Sequence, residues 1–211
     1  MAIRAVIFDF GNVICAFDND VFLRALLPCS GLGLDALKEA IYGSDLPRKY
    51  ESGRISSGEF YREAAQRGSL SVSMEEFFRA FNGIFTPIPS TSALIRELKK
   101  RYKVGLLSNT NEWHYEHYFK NVEVFPLFDS VTLSFEVKEM KPGGRIYRDA
   151  IEKLGARPEE CVFIDDIEDY AEGARREGMK GIRYVSPESL LDSLRALGVT
   201  TGFRDASGVN L

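Results

Sequence analysis

The chain is poor in cysteine: Cys15, Cys29 and Cys161 are the only three in 211 residues, with no Cys-x-x-Cys pair. An odd, widely spaced set argues against a disulfide framework and predicts reduced, mostly buried thiols. Positive charge is also scarce. Lys and Arg number 27 against 31 Asp and Glu, for a formal net charge of −4. With no Lys/Arg-rich stripe, no nucleic-acid partner is expected. No apolar run approaches a membrane span, and the N-terminus lacks the basic-then-apolar layout of a signal peptide. A cytoplasmic protein without a membrane partner is therefore expected. Neither Gly-x-x-x-x-Gly-Lys nor Gly-x-Gly-x-x-Gly occurs, which leaves nucleotide-kinase and dinucleotide roles without support. Internal repeats and low-complexity tracts are absent as well.

What is present is ordinary globular usage, 45% apolar and 27% charged, on a chain long enough for one large domain or a core with a smaller insertion. The sequence opens on a short β-branched and aromatic run from Ile3 that stops at Asp9-Phe10-Gly11-Asn12. This reads as a buried strand ending in a turn. From Cys15 to Phe85 no strand is evident. Val21–Leu27 and Leu34–Tyr42 carry apolar residues at helical spacing, and Ser56 with Glu59 and Ser73 with Glu76 form capping-box patterns. Some seventy residues of helix after a first strand exceed a simple crossover and predict an inserted helical domain over 15–85.

Thr86-Pro-Ile-Pro-Ser90 reads as the return linker and an N-cap. Helices are then predicted over Ala93–Arg101, Glu112–Lys120, Ile146–Leu154, Glu168–Glu177 and Pro187–Leu197. They alternate with strands over Lys103–Leu107, Ser130–Phe135, Cys161–Ile164 and Gly181–Tyr184. That alternation predicts an α/β fold, a doubly wound, Rossmann-like parallel sheet built from 1–14 and 86–211. The polar stretch Thr200–Leu211 reads as a loosely held tail.

Ligands of open α/β sheets sit beyond the carboxyl ends of the strands, and those ends carry matching chemistry here. Asp9 ends the first strand. Ser108-Asn109-Thr110-Asn111 ends the second, offering hydroxyl and amide groups and a helix start to a phosphate, or simply a capped turn. Lys141 stands beside a rigid Pro142-Gly143-Gly144 turn. Asp165-Asp166 ends a further strand; adjacent carboxylates at a buried strand end repel unless a cation or donor is near. Oxygen-only ligands suit Mg²⁺. Together these groups match attack on a phosphoryl centre by an aspartate nucleophile.

The ordered set resembles the haloacid dehalogenase superfamily of aspartate-nucleophile hydrolases. Asp9-Phe-Gly-Asn-Val, Leu107-Ser-Asn-Thr-Asn111, Lys141-Pro142 and Phe163-Ile-Asp-Asp166 are similar to its four motifs, in order. The helical insertion is similar to its C1 cap, and Glu51-Ser-Gly-Arg-Ile-Ser-Ser-Gly-Glu-Phe60 resembles cap sequence of the sugar-phosphatase-like (α-D-glucose-1-phosphatase-like) branch. The resemblance implies Asp9 as nucleophile and metal ligand, with the Gly11 carbonyl and Asp166 completing the Mg²⁺ shell. It implies Ser108 and Asn109 on the phosphate and Lys141 on nucleophile and phosphate. Asp165 would support Lys141 or metal-bound water. The implied substrate is a small phosphorylated metabolite.

Two departures from the pattern stand out. Gly11 occupies the place of a second aspartate that serves as general acid/base, and Tyr170 the place of an Asn or Asp near the metal. Loss of a general acid costs roughly 10²–10⁴-fold, which favours substrates with a good leaving group, such as a sugar 1-phosphate. Two other readings start from the same residues: a metal-independent 2-haloacid dehalogenase, against which the Asp165-Asp166 pair argues, and a catalytically silent binding module. His114 and His117 lack a His-Glu-x-x-His pattern and read as a helix surface or packed aromatic face. Arg48, Lys49 and Arg54 either reach the non-phosphate end of a substrate or face solvent.

Overall fold

The structure is a computed structural model that describes residues 2–202. Its centre is a five-stranded parallel sheet. The strands are β1 (Ala5–Phe8), β4 (Lys103–Ser108), β5 (Ser130–Leu133), β6 (Cys161–Asp165) and β7 (Lys180–Arg183), in the order β5-β4-β1-β6-β7. The sheet is buried on both faces, so β1 and β6 are apolar without alternation. Phe8 pairs with Leu106 on one side and Ile164 on the other. Register thus brings Asp9, Ser108 and Asp165 to one edge, where the strand order reverses about β1.

Helices cover both faces. On one, α6 (Pro89–Lys99) and α11 (Pro187–Ala196) bury Leu94, Ile95, Leu98, Leu190 and Leu194 against Val6, Val104 and Ile164. On the other, α9 (Gly144–Leu154) and α10 (Glu168–Arg176) bury Ile146, Tyr147, Ala150 and Ala174 against Ile7 and Phe163.

Between β1 and the rest of the sheet lies a helical insertion of α1 (Asn19–Leu26), α2 (Leu34–Tyr42), α3 (Leu46–Glu51), α4 (Ser57–Arg67) and α5 (Met74–Asn82). Both expected capping boxes form, Ser56 with Glu59 and Ser73 with Glu76. The insertion has its own apolar cluster of Phe22, Leu37, Tyr50, Phe60, Phe77 and Phe81, completed by Trp113 from α7 (Glu112–His117) across the cleft.

Several local expectations are corrected. The 15–85 stretch does contain strand: β2 (Cys15–Phe17) pairs antiparallel with β3 (Phe85–Pro87) where the chain leaves and re-enters the core. Three-residue strands carry no readable period. Thr86 and Pro87 therefore belong to β3, and α6 starts at Pro89 with Ile88, not Ser90, at the N-cap. The helix from Glu112 stops at His117, because Tyr118 leaves helical geometry and Phe119 turns to stack on Phe10 with ring centroids 3.4 Å apart. The strand from Ser130 ends at Leu133 and the chain folds into α8 (Ser134–Val137). Cys15 and Cys161 are buried as expected, whereas Cys29 is exposed.

The expected loose tail lies beyond the described residues from 203 onward. Its start is tied down: the Thr200 amide donates to Tyr102 Oη at 2.9 Å, and Thr201 is buried. Among the described residues no helix is long and apolar enough to cross a membrane.

Candidate active site

Asp9, Ser108, Lys141, Asp165 and Asp166 converge at the carboxyl edge of the sheet. Lys141 is 3% exposed, and its Nζ lies 2.8 Å from an Asp9 carboxylate oxygen and 2.6 Å from one of Asp165. Phe163 and Tyr170 present their rings to the same ammonium, with centroids at 5.3 and 5.0 Å. Burial pulls the lysine pKa down, but the two carboxylates outweigh it and hold the ammonium above its ordinary value. One cation cannot neutralise both acids. Burial pushes Asp9 up to about 7, with Lys141 opposing the shift and Asp165 adding to it. Asp165 is raised too, by burial, against the pull of Lys141.

Asp165 has no exposure and both its oxygens are engaged, one by Lys141 and the other by the Ile167 amide at 2.9 Å. Asp166 is partly buried and accepts from Asn12 Nδ2 at 3.1 Å. Oxygens of Asp9, Asp165 and Asp166 lie within 4.8 Å of one another, the one such grouping of metal-binding side chains among the described residues. Three carboxylates against a single lysine leave net negative charge in a buried setting. An all-oxygen donor set with that charge fits a hard divalent cation such as Mg²⁺.

Ser108 is buried at the end of β4 and makes only a long 3.4 Å contact to the Asn109 carbonyl, so its hydroxyl is available. Asn109, expected on the phosphate, is engaged with the backbone of Lys141. Its Oδ1 accepts from the Lys141 amide at 2.8 Å, and its Nδ2 donates to the Lys141 carbonyl at 3.2 Å. The side chain clamps the lysine loop onto β4. Thr110 is held in turn by Ser134 Oγ, 2.9 Å from its amide.

At Gly11 a Cβ would stand 2.9 Å from the Phe17 ring. The space a second aspartate would enter is therefore bordered by an aromatic side chain from the insertion's first strand. Tyr170 stacks over Lys141 instead of supplying a metal ligand. His114 is buried, its Nε2 donating to the Phe81 carbonyl at 3.1 Å and its Nδ1 accepting from Asn111 at 3.0 Å. A carbonyl can only accept, which fixes this neutral tautomer. His117 packs edge-on to Phe78. Neither histidine faces the carboxylates; both belong to the aromatic packing between α7 and α5.

Two openings meet at the site. One is bordered by Gly11, Phe17, Tyr42, Glu51, Ser108 and Asn109. The other is bordered by Arg48, Glu51, Arg54, Lys138, Lys141 and Tyr170. Arg48 and Arg54 border the second opening while exposed to solvent, and Lys49 pairs with Asp45 at 2.8 Å. Glu51 borders both openings and was not distinguishable in the sequence from other polar residues of the insertion.

Known proteins share this fold and part of this sequence. The chain is 29% identical over 172 residues to a D-ribitol-5-phosphate phosphatase of Bacteroides thetaiotaomicron, spanning 78% of this chain and 83% of that protein. It is 27% identical over 115 residues to a glyceraldehyde 3-phosphate phosphatase of Methanothermobacter thermautotrophicus, spanning 54% and 51% respectively. Its fold matches that of a haloacid dehalogenase family enzyme of B. thetaiotaomicron solved with magnesium and inorganic phosphate, with a TM-score of 0.77 and 26% identity over 87% of this chain and 95% of that one. The haloacid dehalogenase-like hydrolase profile matches residues 3–178. This chain is accordingly a hydrolase of the haloacid dehalogenase-like family.

Proposed function

We propose that the protein is a cytoplasmic, Mg²⁺-dependent phosphomonoesterase that hydrolyses a small phosphorylated metabolite through an aspartyl-phosphate. The observation that carries this reading is the convergence of buried Asp9 and Asp165 with partly buried Asp166, the first two paired with Lys141. Asp9, the Gly11 carbonyl and Asp166 would hold the metal, which when bound neutralises charge on the phosphoryl oxygens. Asp165 fixes Lys141, and Lys141 steers Asp9 and meets the phosphate. Ser108 Oγ donates to a phosphate oxygen, and Asn109 keeps the lysine in place. Residues 15–85 act as a cap over a core of 1–14 and 86–211, excluding water while the aspartyl-phosphate forms.

Gly11 favours a leaving group that departs without a proton, as from a sugar 1-phosphate. The relatives named for ribitol 5-phosphate and glyceraldehyde 3-phosphate widen the class to primary alkyl phosphates. A metal-independent dehalogenase is disfavoured, because three clustered carboxylates would stay poorly compensated in it.

The test is phosphate release from p-nitrophenyl phosphate, α-glucose 1-phosphate and ribitol 5-phosphate, with Mg²⁺ or EDTA, for the wild type and Asp9→Asn. Metal-dependent release lost in Asp9→Asn is the expected result. No release from any ester by folded, Mg²⁺-loaded protein would overturn the reading in favour of 2-haloacid turnover or a silent binding module.

A further inference from the structure

Gly11 leaves the reaction without its usual proton carrier, and the walls of the adjoining opening offer few replacements. Among the described residues bordering it with Gly11 and Ser108, Glu51 is the one carboxylate. His114 has both ring nitrogens engaged and is held neutral by burial, down to about 4. Tyr50 Oη is spent on Ser57 and the Trp113 amide. Tyr42 Oη is buried without a partner, but burial drives its pKa upward, so it can donate a hydrogen bond and cannot act as a base.

Glu51 combines a fixed backbone with an uncommitted carboxylate. It ends α3 and faces the core. Ser134 Oγ donates to its carbonyl at 2.6 Å. Two residues on, Lys138 Nζ donates to the Gly53 carbonyl at 2.9 Å. Gly53 itself lies so near the core backbone, at φ +63°, that a Cβ would fall 2.2 Å from the Phe135 carbonyl oxygen. This segment is seated on the core as closely as glycine allows. The Glu51 side chain, partly buried, makes no hydrogen bond or ion pair among the described residues. Lys141 from the core loop, Tyr170 from α10 and Tyr42 from α2 act on it electrostatically, and Arg48, Arg54, Lys138 and Glu139 border the same opening. Burial pushes it up to about 7, with Lys141 pulling the other way, a value suited to proton transfer near neutrality.

We infer that Glu51 is the general acid/base that replaces the residue missing at position 11, supplied from the cap rather than from the β1 loop. The inference rests on the phosphatase reading. In the first step an Asp9 carboxylate oxygen bonds to phosphorus, the P–O bond to the alcohol breaks, and the Glu51 carboxyl gives its proton to the departing oxygen. In the second, water attacks phosphorus and leaves its proton on Glu51. The bond to Asp9 breaks with its electrons returning to the carboxylate, and phosphate departs. Both residues end as they began, and one water is consumed per ester. With an acid in place, primary alkyl phosphates become accessible substrates and an activated leaving group is no longer required.

The experiment compares the wild type with Glu51→Gln on p-nitrophenyl phosphate and ribitol 5-phosphate, recording kcat/KM and the pre-steady-state release of p-nitrophenol. A nitrophenolate needs no proton, so kcat/KM for that ester should stay within about threefold of wild type. For the alkyl ester it should fall by roughly 10²-fold or more. A p-nitrophenol burst near one per active site should precede a slow steady state, because hydrolysis of the aspartyl-phosphate has lost its base. An equal fall on both esters with no burst would overturn the assignment and leave Glu51 a substrate contact. Should Glu51→Gln not fold, Glu51→Asp carries the same test: a retained acid predicts partial recovery on the alkyl ester relative to Glu51→Ala. A wild type inactive on every ester removes the phosphatase reading itself, whereas an active wild type with an indifferent Glu51→Gln removes only the role of Glu51.

Discussion

Asn109 holds Lys141 by both of its backbone polar groups, Oδ1 accepting from its amide at 2.8 Å and Nδ2 donating to its carbonyl at 3.2 Å. This pairing joins the β4 edge to the loop that follows α8 and sets where the buried ammonium stands. Asn109→Ala leaves two backbone groups of a buried residue unpaired, costing about 1–3 kcal/mol. Because the lysine would shift relative to Asp9, kcat should drop by on the order of 10²-fold. Urea unfolding and p-nitrophenyl phosphate kinetics read the two effects. A variant that loses substrate affinity alone, with kcat intact, would show that Asn109 serves the phosphate directly.

Among the described residues Lys141 is the sole cation paired with Asp9 and Asp165, at 2.8 and 2.6 Å. Lys141→Met keeps the bulk and removes the charge, leaving two buried carboxylates uncompensated. The expected loss is about 3–5 kcal/mol, seen as a lower denaturation midpoint, together with loss of activity. Combining it with Asp165→Asn should restore part of the stability without restoring turnover. Equal stability of the single variant and the wild type would mean that the two acids are already protonated in the folded protein.

The carboxylate cluster predicts that Mg²⁺ stabilises the fold independently of catalysis. A ligand at 100 times its Kd adds about 2.7 kcal/mol, or roughly 5–10 °C for a chain of this size. Calorimetric scans in MgCl₂ and in EDTA should differ by that order. Asp166→Asn, which alters a partly buried ligand next to Asn12, should remove most of the difference. An undiminished Mg²⁺ shift in Asp166→Asn would place the cation elsewhere.

His114 predicts acid sensitivity. Burial depresses its pKa from 6.5 to about 4, so below pH 6.5 the unfolded chain takes up a proton that the folded protein refuses. Its contribution is fully present above about 6.5, is lost as pH falls toward 4, and amounts to about 3 kcal/mol. A second ring proton would point at the Asn111 amide, itself a donor. Chemical denaturation at pH 7, 5.5 and 4 should show a steeper decline for the wild type than for His114→Gln. Parallel declines would assign the acid sensitivity to other groups.

The elements that carry local signals were legible in the sequence. Apolar runs without alternation marked β1, β4 and β6, since strands buried on both faces need no polar side. The Ser56/Glu59 and Ser73/Glu76 boxes marked two helix starts, because a cap is a contact between residues three apart. Strand-end chemistry located Asp9, Ser108, Asp165 and Asp166, because in a parallel sheet every strand delivers its end to the same edge. Lys141 instead stands in the loop after α8 and was marked by the Pro142-Gly143-Gly144 turn beside it.

Tertiary structure decided the pairings between distant parts of the chain. The β2–β3 stalk, the Asn109–Lys141 clamp, the Tyr170 ring over Lys141, the Phe17 ring beside Gly11 and the approach of Glu51 each join residues with no shared local period. Their own segments leave them unspecified. They form because the insertion must bury Phe22, Tyr50, Phe60 and Phe81 together with Trp113, and that packing brings the end of α3 down onto the core. The residues of the sheet edge are thus written in the order of the strands, whereas what faces them across the cleft is settled by how two apolar clusters pack.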